Sequence, residues 1–191
     1  MNGTRATLAI ARRDLRPSSV LGIAARVLLG ALAASLDMEA VAPIIVYAYC
    51  IIAATSAGLE LRVRDLTYFT APLYGRQLAR AHALTAICVA LAAPLTIVAI
   101  AAIRHATWPW PHAVATLAGS VVAALVALSG TLRRGGAAMT YALLAVAGGA
   151  LIMTLAQAGV QVYAWLALAA LLGFLALRAF GETLARYDPL E

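Results

Sequence analysis

The sequence has few charged residues and no lysine. Only 12% of its 191 residues are charged and 64% are hydrophobic, which gives a mean hydropathy of +0.91. A soluble domain of this length needs a more polar surface, because its outside faces water. The apolar residues also stand in long uninterrupted runs rather than in helical stripes, so they have to be covered on all sides by an apolar medium. The composition excludes a soluble domain and predicts a protein of the lipid bilayer.

Paired acids and clustered metal ligands are also missing from the apolar runs. All eight acidic residues lie outside the membrane spans predicted below, and Ser56, Ser120 and Ser129 have no histidine nearby in the sequence. A membrane enzyme needs such groups close together at membrane depth, and an ATP-binding chain needs a glycine-rich phosphate loop. We therefore expect a non-catalytic chain with no metal and no bound cofactor. A polytopic membrane enzyme and a passive membrane scaffold are the alternatives.

Cysteine is scarce, and no signal peptide is recognisable. Cys50 and Cys88 each stand alone in an apolar run, so both are interpreted as small buried hydrophobic residues. The first residues, MNGTRATLAIARRDLRPSS, have no apolar core before Val20 and no small-residue cleavage site. We therefore expect no cleavable leader.

Six stretches are long and apolar enough to cross a bilayer, which takes roughly 20 residues. They are Ser18–Leu36, Ala40–Leu59, Ala83–Ile103, Ala113–Leu132, Ala137–Ala156 and Val160–Leu177. The last two come from one run of 41 uncharged residues, which at about 1.5 Å per residue is twice the ~30 Å hydrocarbon thickness. Its only polar break is AQAGVQ (156–161), where we place a tight hairpin. Lipid-exposed strands would leave backbone groups unpaired, so the expected fold is an all-α membrane protein with six transmembrane helices.

The arginines are distributed unevenly between the two predicted sides of the membrane. Basic residues concentrate in cytoplasmic loops. With the N-terminus in the cytoplasm, twelve arginines lie inside and only Arg104 lies outside, together with Asp37 and Glu39. Both termini are therefore predicted to be cytoplasmic. Because topology explains the net charge of +6, nucleic-acid binding is not expected.

The first 17 residues are predicted to form a helix that lies flat on the membrane. Leu8, Ala11 and Leu15 share one side at helical spacing, and arginines occupy the adjacent side, which suits a headgroup interface. Pro17 ends this helix before the first span. A solvated basic tail is the alternative. The expected organisation is an interfacial helix (1–17), a transmembrane domain (18–180) and a cytoplasmic tail (181–191).

The longest predicted inner loop, residues 60–80, carries aromatic residues that the positive-inside rule does not explain. Tyr68 and Phe69 are costly to leave in water, so a loop that exposes them should have a partner. An apolar centre with a charged rim is typical of a transient protein interface. The residues predicted to dock this partner are Glu60, Arg62, Arg64, Asp65, Leu66, Tyr68 and Phe69. Contact with the lipid surface is the alternative.

The order of these features resembles an ABC-2-type transporter permease: an interfacial helix, two spans, a polar inner loop and four further spans. In that family the loop opens with a glutamate, matched by Glu60, and contains the coupling helix that enters a cleft of the ATPase, matched by Asp65–Thr70. The family's Gly-Thr and second glutamate are absent from RVRDLTYF. The resemblance implies that two copies of a separate ABC ATPase subunit bind ATP and dock here. It also implies that the chain pairs with itself or with a homologous permease in a bacterial inner membrane.

A second motif, TLRRGGAAM (131–139), narrows this resemblance. It is similar to the sequence that opens the fifth span in the haem exporter permeases of the cytochrome c maturation system. The residues concerned are Arg133, Arg134, Gly135 and Gly136. The arginines would anchor a cytoplasmic turn, and the glycines would allow a sharp turn or close packing. The resemblance implies haem as cargo and contact with other cytochrome c maturation proteins. A generic exporter of a lipid, drug or polysaccharide is the alternative, since Gly148–Gly149 stands where that subfamily has prolines.

Five residues are candidates for contact with the cargo. They are Arg26, His105, Trp108, Trp110 and His112. Arg26 is the only charge inside a predicted span and could line a translocation path or snorkel to the inner headgroups. In the outer loop RHATWPWPH (104–112), the tryptophans could stack on haem, with a histidine as axial ligand. The alternative for that loop is an aromatic belt at the membrane interface. His82, at the inner end of the third span, is expected at headgroup level.

Overall fold

The computed structural model describes residues 17–35, 75–103, 110–131 and 136–185, which are helical except for a short turn at 158–161. The helices are α1 (Pro17–Ser35), α2 (Gly75–Ile103), α3 (Trp110–Thr131), α4 (Gly136–Gln157) and α5 (Val162–Ala185). Alanine and leucine, which are good helix formers, are abundant in all five. The predicted all-α fold is confirmed for the described part of the chain.

Four of the helices are long and apolar enough to cross a membrane. The apolar stretches are Ala79–Ile103, Trp110–Gly130, Gly136–Gln157 and Val162–Ala185. They overlap the last four predicted spans, so the chain is a helical membrane protein. α1 overlaps the first predicted span, but its described apolar stretch, Ile23–Leu32, is shorter than a span needs. The N-terminal interfacial helix and the second predicted span, Ala40–Leu59, lie outside the described residues.

α3 is the central helix of the bundle, and it packs against α2, α4 and α5. In α3, 67% of the apolar stretch is buried, against 33% or less in the other three candidate spans. α1 packs against α2. The central position of α3 means that most contacts among the described spans pass through it.

Consecutive spans alternate in direction. α3 and α4 are antiparallel, because Thr116 meets Met153 near one end of the pair and Gly130 meets Tyr141 near the other. A short turn joins α4 to α5, which therefore runs parallel to α3. The end of the bundle that carries this turn is called the hairpin end here, and the end where α2 begins and α5 finishes is called the Gly75 end.

The interior of the bundle consists mainly of small residues. The larger buried cluster contains Ala90, Ile97, Ala115, Val122, Ala123, Ala124, Ala127, Ala145, Ile152, Met153, Ala156, Trp165 and Ala169. The smaller cluster, at the Gly75 end, contains Ala79, Ala83, Ala86, Leu125, Leu128, Ala176 and Phe180. Alanine lets helix backbones approach closely, and the resulting van der Waals contacts hold helices together in lipid.

The polar break at 156–161 forms a tight turn between α4 and α5. Gly159 has a φ of 73°, a left-handed conformation that glycine adopts without the steric cost of a Cβ atom. Its N–H donates to the Ala156 carbonyl (3.2 Å), and the Val160 N–H donates to the Leu155 carbonyl (3.1 Å). These two bonds form a Schellman motif, which satisfies carbonyls at the end of a helix. The predicted hairpin is confirmed.

Two helix boundaries differ from the predicted ones. α2 begins at Gly75 rather than Ala83, so the last six residues of the predicted loop 60–80 are helical. α5 continues to Ala185, so the predicted tail 181–191 starts within a helix. Hydropathy marks where a chain leaves the hydrocarbon. A helix keeps its own backbone hydrogen bonds there and continues wherever packing supports it.

Cys88 also differs from its predicted environment. The sequence predicts a buried residue, but Cys88 is exposed on the surface of α2, whereas Val89 and Ala90 beside it are buried. An apolar run covers all sides of a membrane helix, so hydropathy does not distinguish a side chain that faces lipid from one that faces protein.

Candidate functional site

Most of the residues predicted to dock a partner or contact the cargo lie outside the described residues. These are Glu60, Arg62, Arg64, Asp65, Leu66, Tyr68, Phe69, His105, Trp108, Arg133, Arg134 and Gly135. The structure describes the other four. Arg26 lies on α1 and Gly136 begins α4, while Trp110 and His112 lie in the first turn of α3.

Gly136 lies in open space at the start of α4. A Cβ atom added there meets no atom of the described residues within 4 Å, and the backbone is not left-handed. The tight contact in this region is made by Gly130, where an added Cβ would lie 2.5 Å from Tyr141 Cβ. Side chains cannot approach so closely, and it is Gly130 that allows α3 and α4 to pack. The close packing predicted for the Arg-Arg-Gly-Gly glycines is therefore not found at Gly136.

Arg26 lies near a close contact between α1 and α2. Its side chain is half-buried, and the Nε atom of its guanidinium is buried. One turn further along, a Cβ atom added at Gly30 would lie 2.7 Å from the Ala93 carbonyl oxygen of α2. Arg26 is therefore partly enclosed by its own chain. Its two predicted roles, lining a path and snorkelling to headgroups, stay predictions.

Trp110 and His112 stand two residues apart but differ in environment. Trp110 is 64% exposed, as a residue of an aromatic belt would be. His112 is half-buried, and its Nδ1 atom is buried without a hydrogen-bond partner among the described residues. The His112 carbonyl accepts a 2.8 Å bond from Thr116 Oγ1, which also lies 3.5 Å from Met153 Sδ of α4. His112 thus shares a side of α3 with a residue that faces α4, whereas Trp110 is directed away from the bundle.

Trp165 is a buried aromatic residue that sequence reasoning does not single out. It lies in the first turn of α5 and is fully buried, and its indole Nε1 has no hydrogen-bond partner in the described helices. Because α3 and α5 are parallel, Trp165 and His112 both lie at the hairpin end. A buried N–H without a partner is costly, and a neutral imidazole can accept such a bond. Within the described part of the chain, the hairpin end therefore contains two buried polar atoms that are free to bond.

The Gly75 end joins α5 to α2 and α3. Phe180 is fully buried and belongs to the cluster that includes Ala79 of α2 and Leu128 of α3. One turn before it, the Ala176 carbonyl accepts a 2.8 Å hydrogen bond from Ser129 Oγ of α3. A hydrogen bond and an aromatic ring thus hold α5 at this end.

One stripe on α5 supplies the contacts at both ends. Its buried residues are Trp165, Ala169, Gly173, Ala176 and Phe180. The spacing of three or four residues places them on one helix face. The signal in the sequence is two aromatic residues that bracket small ones at this spacing. Neighbouring leucines are equally apolar, so hydropathy alone does not reveal the stripe.

His82 is buried in α2, at 7% exposure, and its predicted position at headgroup level stays a prediction. Ala81 and Ala83 beside it are buried too, so this turn of α2 is enclosed by the bundle. Across residues 17–35, 75–103, 110–131 and 136–185, no group of three or more histidine, cysteine, aspartate or glutamate side chains is placed to hold a metal ion.

The described helices define the class of the protein, a helical membrane protein with four candidate spans. Comparison of the chain with protein-family models, with curated proteins and with solved structures found no match. The support for a particular function is therefore the pattern of this chain's residues and the packing of its helices.

Proposed function

We propose that the chain is the membrane subunit of an ATP-driven ABC transporter in a bacterial inner membrane. It has six spans, an N-terminal interfacial helix and both termini in the cytoplasm. Two copies of a separate ATPase subunit bind and hydrolyse ATP and dock on the inner loops. Two permease subunits, either two copies of this chain or this chain and a homologous permease, supply twelve spans. Closure of the ATPase subunits moves the loops and rocks the two membrane halves.

The observation that carries the proposal is the polar segment directly ahead of α2. Its charged rim begins at Glu60 and its aromatic centre is Tyr68 and Phe69. Only five residues separate Phe69 from Gly75, where α2 begins. A protein bound to this segment is therefore tied by a short connection to the first turn of a span-length helix. The positive-inside rule accounts for the arginines but not for the aromatic residues.

The packing of α2 supports the same proposal. Close to its first turn, Ala79 and Ala83 belong to a cluster with residues of α3 and α5. Further along, α2 packs against α1. A displacement of α2 therefore reaches three other helices. Movement of a partner bound ahead of α2 would therefore be transmitted to the bundle through α2.

For the cargo, we propose haem-related export in cytochrome c maturation. Its support in the sequence is Arg-Arg-Gly-Gly (133–136) between α3 and α4. Its support in the packing is the His112 Nδ1, buried without a partner in the described helices, since an imidazole nitrogen is a ligand that haem iron takes. Haem is cargo here and not a resident cofactor. The separation of Trp110 from His112 favours the alternative, a generic exporter of a lipid, drug or polysaccharide, because a stacking site would use both.

Co-purification tests the ATPase partnership. The chain is purified in mild detergent from its natural host, and the retained proteins are identified by mass spectrometry. We expect a protein with a glycine-rich phosphate loop and ATP hydrolysis that vanadate inhibits. Recovery of the folded chain without any ATP-hydrolysing protein contradicts the proposal and favours a scaffold or a membrane enzyme.

Deletion of the gene tests the cargo separately. Haem-related export predicts that the deletion strain loses its c-type cytochromes, measured by haem staining of periplasmic proteins. It also predicts that other cytochrome c maturation proteins are recovered with the chain. A strain that retains its c-type cytochromes contradicts this cargo and favours the generic exporter.

A further inference from the structure

Phe180 joins the first turns of α2 to the last turns of α5. Its ring is fully buried, and the α2 residues in the cluster around it are the alanines Ala79, Ala83 and Ala86. Leu184, one turn further along α5, packs against the same cluster. The ring is the largest side chain of this cluster, in which Leu125 and Leu128 of α3 and Ile87 of α2 also pack.

Phe180 lies in the part of α5 that reaches the membrane surface. α5 has 24 residues, which at about 1.5 Å per residue exceeds the ~30 Å hydrocarbon thickness. Its last turns carry an exposed pair of charged residues, Arg178 and Glu182, so this part of the helix reaches the membrane surface. Phe180 thus lies at the level where α2 also emerges toward the segment ahead of Gly75.

The other contacts of α5 determine which helices oppose its movement at the Gly75 end. The Ser129–Ala176 hydrogen bond ties α5 to α3 one turn away. The buried cluster around Phe180 has members from α2 and α3 and, among the described residues, none from α4. At the Gly75 end, a shift of α5 is therefore opposed by packing against α2 and α3.

We propose that Phe180 is the link through which movement of the segment ahead of α2 is transmitted to α5. The inference rests on the proposed function, in which an ATPase subunit docks on that segment. When the first turns of α2 move, the ring either follows them or loses its contacts, and a void beside a buried ring is unfavourable. α5 therefore moves with α2, and the gap between the Gly75 ends of α4 and α5 changes.

The distance between Ala137, at the start of α4, and Ala185, at the end of α5, measures this movement. Both residues are exposed, so each accepts a spin label on an introduced cysteine once Cys50 and Cys88 are replaced by alanine. In the complex with its ATPase, the distance between the two labels is measured by pulsed electron–electron double resonance, with and without the nucleotide analogue AMP-PNP. We expect AMP-PNP to shift the distance in the parent and the shift to be lost in Phe180→Ala, which still retains the ATPase.

A matched control and a milder variant complete the test. Phe174 lies on the same helix but is 62% exposed, and Phe174→Ala should keep the full shift. If Phe180→Ala does not fold, Phe180→Leu is measured instead, and it should reduce the shift in the label distance. A full shift in every variant that binds the ATPase, or no shift in the parent complex, overturns the link but leaves the permease role intact. Absence of an ATPase from the parent overturns the proposed function itself.

Discussion

Ser129 of α3 donates a hydrogen bond of 2.8 Å to the Ala176 carbonyl of α5. Its hydroxyl also lies 2.9 Å from the Leu125 carbonyl of its own helix, so one hydroxyl serves two carbonyls. Ser129 is fully buried and Ala176 is nearly so. An interhelical bond in an apolar interior holds two helices in one register, because sliding would leave the hydroxyl without its second acceptor.

Ser129→Ala should loosen α5 from α3. Interhelical hydrogen bonds in membrane proteins are typically worth about 0.6 kcal/mol and at most about 1.7 kcal/mol, so we expect a loss of unfolding free energy in this range. Ser120→Ala is the matched control, since Ser120 lies on the same helix, is equally buried and bonds to the Thr116 carbonyl of its own helix. The measurement is unfolding by SDS in mixed micelles. Equal losses in the two variants would show that the bond to Ala176 contributes nothing.

Gly30→Ala should separate α1 from α2. The added Cβ would lie 2.7 Å from the Ala93 carbonyl oxygen and 3.1 Å from Thr96 Cβ, and the carbonyl is backbone that cannot rotate away. Gly181→Ala is the control, because a Cβ there meets nothing within 4 Å in the described helices and alanine favours a helix over glycine by up to ~1 kcal/mol. We expect the thermal midpoint in detergent to fall for the first variant and to hold or rise for the second. A midpoint that rises in both would mean that α1 is not packed this closely.

Trp165 should tolerate loss of its N–H much better than loss of its ring. Trp165→Phe removes a donor that has no partner among the described residues, so no hydrogen bond to those residues is lost, although the smaller ring leaves some space. Trp165→Ala empties the site, which in cores costs about 3–5 kcal/mol. SDS unfolding of both variants measures the difference. A loss in Trp165→Phe as large as that in Trp165→Ala would reveal a bond made by the indole N–H, for example to a bound ligand.

Labelling of introduced cysteines tests the orientation. Ala158 in the α4–α5 turn and Ala185 at the end of α5 are both exposed and are separated by the length of one span. In a chain without Cys50 and Cys88, an impermeant maleimide should reach Ala158→Cys from outside intact cells. It should reach Ala185→Cys only after the inner membrane is opened. Reaction of Ala185→Cys in intact cells contradicts cytoplasmic termini.

Removal of the aromatic pair tests the docking segment. Tyr68→Ala combined with Phe69→Ala should leave a membrane-inserted protein that no longer retains its ATPase. Aromatic anchors dominate interfaces, and the loss of one costs about 2 kcal/mol or more, which is over tenfold in affinity. Arg76→Ala is the control, because Arg76 lies within the first turn of α2. Retention is measured by pull-down in detergent, with insertion checked separately. Full retention of the ATPase by the double variant would indicate that Tyr68 and Phe69 contact lipid instead of the ATPase.

Some details of the fold can be predicted residue by residue, and others cannot. The α4–α5 turn is predictable because Gln157 and Gln161 interrupt a long apolar run and Gly159 permits the turn. The central position of α3 is not predictable, since the hydropathy of its residues is close to that of α4 and α5. The exposure of Cys88 and the burial of His82 are not predictable for the same reason, because each depends on which helix face meets a neighbour.

Among the candidate site residues, sequence reasoning selects those whose side chains conflict with their surroundings, and their roles stay predictions. Tyr68 and Phe69 stand out in a charged loop, and Arg26 stands out in an apolar run. Ser129, Trp165 and Phe180 do not stand out, although the packing shows that they join the helices at both ends of the bundle. Their role depends on partners that are far away in the chain, such as Ala176 for Ser129.

Hydropathy alone is enough to predict a helical membrane protein, to locate the four candidate spans of the described residues and to place the turn between α4 and α5. Partition into lipid depends on the transfer free energy of each residue, and these contributions add along the chain. The packed helices are needed to show that α3 is central, that Gly30 and Gly130 make close contacts and that Phe180 packs α5 against α2. In lipid, helices associate through the fit of small surfaces and through single hydrogen bonds. That fit depends on pairs of residues, whereas hydropathy is assigned to each residue separately.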